Sequence, residues 1–204
     1  EGSPLHITSD IEPRMPAGAA FLIDELVAFE AGLEPLTSLY SAPLFGEIAE
    51  GRFSEARRHG ILASLLLVDI DDFDCIRDRH GRLVADAAML AVAELLRNRL
   101  RREDMVALRD GGTFQVLLMH CDGTGALAKA EALRAAIAGL APAGIPITAS
   151  IGLASAAVSA GLSFDMLMER AGEALGTAWA RGPDHVVAHT RPHGRPAAGP
   201  TPVN

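Results

Sequence analysis

Apolar side chains recur at two different periods along this chain, and the changes of period mark out its elements. Ile61-Leu-Ala-Ser-Leu-Leu-Leu-Val-Asp-Ile70 is apolar at almost every position, which predicts a buried strand. It runs directly into four carboxylates, Asp69, Asp71, Asp72 and Asp74. Leu83 to Leu100 changes to helical spacing, with Ala85, Met89, Val92, Leu96 and Leu100 on one stripe. Between Asp104 and Met119 two apolar runs flank Asp110-Gly111-Gly112. Glycine tolerates the positive φ of tight turns, so this stretch predicts an antiparallel hairpin with well-covered strands.

Gly123 to Leu140 returns to helical spacing through Leu127, Ala130, Leu133, Ile137 and Leu140, and Pro146 to Leu153 predicts another strand. Ser163 is placed to cap a helix that Gly182-Pro183 stops after Arg181, and His185 to His189 predicts a last short strand. Upstream, residues 42–59 predict a helix with Leu44, Phe45, Ile48 and Phe53 inward. Phe21, Leu22, Leu26 and Phe29 predict a short connecting helix over residues 19–33. Residues 1–18 and 191–204 are rich in Pro and Gly and lack a period; they read as a linker or tag remnant and a disordered tail around a domain at 34–190.

The central order, strand, helix, hairpin, helix, strand, is a β-α-β-β-α-β unit. It predicts an α/β (α+β) fold of ferredoxin-like type, an antiparallel sheet with helices packed on one face. The same layout forms the palm of many nucleotide-polymerising and cyclising enzymes. There, carboxylates from the first strand and the hairpin hold two metal ions around a triphosphate.

With 204 residues, 49% hydrophobic and 4% aromatic, the chain suits one domain of helices on a sheet. A net charge of −8 argues against a nucleic-acid polymer as partner, because polymer binding needs a broad basic face. It leaves room for a small phosphorylated ligand at the one dense basic run, Arg97-Asn-Arg-Leu-Arg-Arg102. The two cysteines, Cys75 and Cys121, have no metal-ligand spacing and read as reduced thiols. The seven histidines are scattered, and Ser150 and Ser155 have no evident base, so zinc and hydrolase chemistry lack support. No apolar run reaches membrane length and no signal peptide is evident, so a cytoplasmic location is expected.

Several short motifs, in order, resemble the GGDEF family of diguanylate cyclases, which make cyclic di-GMP from two GTP. Glu34-Pro-Leu-Thr-Ser-Leu39 resembles the family's opening Asp-Pro-Leu-Thr-Gly-Leu, and Val68-Asp-Ile-Asp-Asp-Phe73 resembles its first metal-binding strand. Gly81 and Asp86 fall at its Gly-His and Gly-Asp pairs, and Ala149-Ser-Ile-Gly152 and Ala174-Leu175 match later landmarks.

The resemblance implies a degenerate active site. Anchored on Phe114, Asp110-Gly111-Gly112-Thr113-Phe114 stands where the family has Gly-Gly-Asp-Glu-Phe, with Gly112 and Thr113 in place of the two acids. Sliding by one residue pairs the glycines but leaves a deletion, and either register lacks both hairpin carboxylates. Asp69 remains of the metal ligands; Asp86 remains for guanine, but Arg77 stands where its partner Asn is expected. Asp74 and Trp179 replace lysines, Pro183 replaces an arginine, and Arg181 offers partial compensation. The expectation is no cyclase activity, no required cofactor and no Mg²⁺ requirement, with Asp69 the one residual metal ligand.

The family's product-binding motif, Arg-x-x-Asp before the hairpin, is matched by Arg101-Arg-Glu-Asp104. An arginine can give two parallel hydrogen bonds to a phosphate or to guanine O6/N7, and an aspartate can accept from guanine N1 and N2. The further family arginine falls on Ala132, with Arg134 close by in sequence. The implied ligand is therefore cyclic di-GMP at Arg101, Asp104 and Arg134. A homodimer or a signalling partner is implied as well. Two alternatives stay open: an interaction module that binds no nucleotide, and a weak cyclase.

Overall fold

The computed structural model describes residues 32–156 and 162–189. The expected linker and tail lie outside them, as does the connecting helix apart from Gly32 and Leu33. Those two form a turn and a bridge to Tyr40. A two-residue strand β1 (Tyr40–Ser41) leads into helix α1 (Ala42–Arg58). Strand β2 (Ala63–Ile70), helix α2 (Phe73–His80) and helix α3 (Arg82–Arg99) follow. The hairpin is β3 (Met105–Asp110) and β4 (Thr113–Met119), then helix α4 (Gly123–Ala138) and a 3₁₀ turn at Pro142–Gly144. Strand β5 (Ala149–Ala156), helix α5 (Phe164–Arg181) and strand β6 (Val186–Ala188) complete the domain.

The six strands lie in the order β1-β3-β4-β2-β5-β6. The central pairs β3/β4, β4/β2 and β2/β5 are antiparallel, which is the expected ferredoxin-like unit; β1 and β6 add parallel edges. Helices cover both faces rather than one. Leu66, Val68 and Ile70 of β2 pack with α3 and α4, whereas Leu65 and Leu67 pack with α1 and α5. A strand apolar at both parities needs two covers, and the helices outside the central unit supply the second.

Two stretches differ from the sequence pattern. Strand β5 runs three residues later than the spacing of Pro146 to Leu153 suggested, because it matches β2 from Ala63↔Ala156 to Ile70↔Ala149. The acidic stretch after β2 leads into a helix that the sequence pattern did not mark. Asp72 takes a left-handed conformation (φ 53°) that redirects the chain into α2, where Asp74 and Arg77 pair at 2.9 Å. Ser163 caps α5 as expected, its Oγ accepting from the Met166 N–H at 3.2 Å. Gly152 is where α5 crosses β5: a Cβ there would lie 2.2 Å from the Leu175 nitrogen and 2.4 Å from the Ala171 oxygen.

Candidate functional site

Two polar sites stand at different places on the sheet. The first is at the end of β2, where the hairpin returns beside it. Asp110 pairs with Thr113, so Gly111 and Gly112 form the two-residue tip, with φ of 42° and 90°. Positive φ at both positions is what a type I′ hairpin turn, one of the two favoured kinds, requires. This fixes the register: Thr113 lies opposite Asp69. Gly112 sits against Phe73, and a Cβ at Gly112 would come 2.8 Å from the ring's Cγ.

Asp69 is ringed by donors. Thr113 Oγ1 donates to its Oδ1 at 2.6 Å, and Trp179 Nε1, from α5, donates to its Oδ2 at 3.2 Å. Burial pushes its pKa up; the two hydrogen bonds oppose that rise, and the charges of Asp71 and Asp110 add to it. Asp71 is more tightly held. Thr148 Oγ1 and Ser150 Oγ donate to it at 2.6 Å each, and the Asp184 backbone N–H donates at 2.8 Å. A shallow cleft of about 250 Å³ lies over these acids, with Asp72, Trp179, Gly182 and Pro183 on its walls. Asp86 is elsewhere, on α3, paired with Arg82 at 3.5 Å, and Arg77 is paired with Asp74 and Asp78. Among the described residues, no three His, Cys, Asp or Glu side chains are grouped to hold a metal ion.

The second site is at the base of the hairpin. Arg101 and Asp104 close a turn between α3 and β3, in which the Asp104 N–H donates to the Arg101 carbonyl at 3.1 Å. The Asp104 carboxylate is 2% exposed and has three hydrogen-bond partners. Its Oδ2 accepts from the Arg101 N–H at 3.0 Å and meets Lys129 Nζ at 3.2 Å; its Oδ1 accepts from the Met119 N–H at 3.2 Å. The Arg101 guanidinium is 67% exposed and, among the described residues, makes only a loose 3.9 Å contact to Glu103. Arg52 of α1 donates to the Glu103 carbonyl at 3.1 Å, tying the turn to the helix below it. The turn opens onto a cleft of about 430 Å³, bordered by Arg101, Asp104, Met119, His120, Cys121 and Lys129. That volume lies within the usual range for small-molecule sites. Burial pushes the Cys121 thiol up, although Lys129 pulls the other way.

The residues expected to act together are therefore only partly assembled. Arg101 and Asp104 share the cleft, but Arg134 is not among its lining residues. Five residues beyond Lys129, it is about 7.5 Å further along α4 and about 140° around it. Its Nη1 bonds Asp184 at 2.6 Å and its Nε bonds Glu131 at 2.9 Å, pairings that raise its already high pKa. Arg134 thus braces the segment that feeds Asp71. The cleft's second cation is Lys129, which the sequence reading missed. The signal was there: Lys129 is the chain's sole lysine and lies one turn before Ala132 on the same helical face.

The family model described as "Diguanylate cyclase, GGDEF domain" matches residues 31–185. Among curated proteins, the chain is 27% identical over 168 residues to the diguanylate cyclase DosC of Escherichia coli K12. That match covers 81% of this chain but 36% of DosC, so the chain spans little more than a third of that relative. Among solved structures, the fold resembles the GGDEF domain of DgcB from Caulobacter crescentus in complex with c-di-GMP. The TM-score is 0.73 at 23% identity, covering 78% of this chain and 96% of that one. It also resembles the GGDEF domain of YfiN (TpbB) from Pseudomonas aeruginosa, with a TM-score of 0.72 at 25% identity, covering 78% and 94%.

Proposed function

The chain belongs to the GGDEF family of diguanylate cyclase domains, and from that premise we propose that it is a cyclic di-GMP receptor that has lost the cyclase reaction. The observation that carries the reading is the cleft at the hairpin base, where an exposed Arg101 and a cation beside Asp104 face a space of about 430 Å³. A guanidinium with free donors is suited to a phosphate or a guanine edge. DgcB, a neighbour in fold, was solved with c-di-GMP.

Inactivity rests on the other site. A two-metal cyclisation needs carboxylates on both sides of the metals and cations around the transferred phosphate. Here Thr113 and Trp179 point hydrogen-bond donors at Asp69, and Gly112 has no side chain to offer. Losing one preorganised charge-stabilising group typically lowers a rate a hundred- to a thousandfold, and several are replaced together. Asp86 retains its place but is turned to Arg82. The domain therefore works without Mg²⁺ or any other cofactor, in the cytoplasm, passing ligand occupancy to a second copy or a signalling partner. No helix among the described residues is long and apolar enough to cross a membrane.

The names of the curated relatives favour a second reading, a weak cyclase. Incubation with GTP and Mg²⁺ separates the two: the proposal expects no cyclic di-GMP above the enzyme-free control, and product in excess of protein overturns the inactivity. Calorimetric titration with cyclic di-GMP tests the receptor. Micromolar binding that Arg101→Ala abolishes supports it, and no heat from the unaltered domain leaves an interaction module that binds no nucleotide.

A further inference from the structure

The cleft around Arg101 contains one group whose role is not settled by the Arg-x-x-Asp motif. Lys129 projects from α4 to within 3.2 Å of Asp104 Oδ2 and is 24% exposed. An ammonium carries three donors, and this pairing uses one of them. Asp104 is the reverse case. With a backbone N–H on each oxygen and Lys129 beside it, the carboxylate has little capacity left for a base edge.

Resting on the cyclic di-GMP reading, we infer that Lys129 is the cleft's second ligand-binding residue and takes a phosphodiester oxygen of the ligand, while Asp104 is a positioning residue. Arg101 supplies a planar fork; Lys129 supplies a point charge held in place by its carboxylate partner. The same pairing keeps the buried charge of Asp104 from repelling the incoming anion. Asp104 then sets the Arg101 turn through its backbone N–H and aims Lys129.

Because Lys129 is the only lysine in the sequence, it can be followed on the unaltered protein. The domain is treated with an amine-acylating ester, with and without saturating cyclic di-GMP, and occupancy at Lys129 is read by peptide mass spectrometry. The expected result is at least about tenfold slower acylation in the presence of ligand. Titration calorimetry of variants supplies the second measurement. Lys129→Ala is expected to weaken binding about ten- to a hundredfold, the usual effect of losing a charged hydrogen bond, with Lys129→Arg restoring most of it. Equal acylation rates with and without ligand overturn the inference, as does a Lys129→Ala variant that binds like wild type. If Arg101→Ala abolishes binding while Lys129→Ala does not, only this inference falls. An unaltered domain that binds no cyclic di-GMP removes the receptor reading as well.

Discussion

A carboxylate at a buried strand end must be protonated, bind a cation or be given donors, and Asp69 has been given donors. Its pKa is raised above 3.8, first by burial, so the folded state holds this proton to higher pH than the unfolded state does. The contribution to stability is therefore fullest at low pH and is lost as pH rises from about 4 through the folded-state pKa. Trp179 is the only tryptophan and donates to this carboxylate. Its fluorescence is expected to titrate with a midpoint above 3.8, and Asp69→Asn is expected to remove that transition. An unchanged titration in the variant would show that the indole senses another group. Lys129 teaches the opposite lesson at the same scale. Replacement of a family lysine by Trp179 was readable as a loss, but its gain of a bond to Asp69 joins residues 110 positions apart. For Lys129 the sequence offers its place one turn before Ala132, but nothing in local spacing shows that an α4 side chain reaches a turn before β3.

The hairpin and its neighbours were legible as elements because apolar period and glycine placement act locally. The turn's strand register was not, since two adjacent glycines do not say which residues flank the tip; it is set by pairing of Asp110 with Thr113 and of Thr113 with Asp69. The second helical layer was hidden for a similar reason: periodicity tells that β2 is covered on both sides, not by what. Two glycines make this testable. Gly112 combines φ 90° with the Phe73 ring, so Gly112→Asp, which would place an acid at the hairpin tip, is expected to cost about 1–3 kcal/mol. Denaturant unfolding at constant m checks it; a neutral change would mean that the turn readily rearranges. Gly152→Ala presses a methyl group into the α5 backbone, which moves less readily than a side chain. About 3 kcal/mol of destabilisation is expected by the same measurement, the upper part of the usual range for overpacking.

At the scale of the whole molecule, the fold keeps its two polar sites at separate places and treats them differently. At the end of β2, Asp69 and Asp71 are satisfied by Thr113, Trp179, Thr148, Ser150 and the Asp184 N–H, with Arg134 bracing the last of these. At the hairpin base, Arg101 stays exposed beside an open cleft, and Arg52 links its turn to α1. A change in that turn on binding has a direct route to the N-terminal side of the domain, and Arg52→Ala is expected to leave the fold intact while altering ligand affinity about twofold to fivefold, as loss of one exposed hydrogen bond would. Identical affinity in that variant would show that the Arg52 contact has no part in holding the turn for ligand. The most direct measurement is calorimetric titration of the domain with cyclic di-GMP beside its Arg101→Ala variant. Saturable micromolar binding that the substitution abolishes is expected. No heat from the unaltered domain, or equal binding by both proteins, would contradict it.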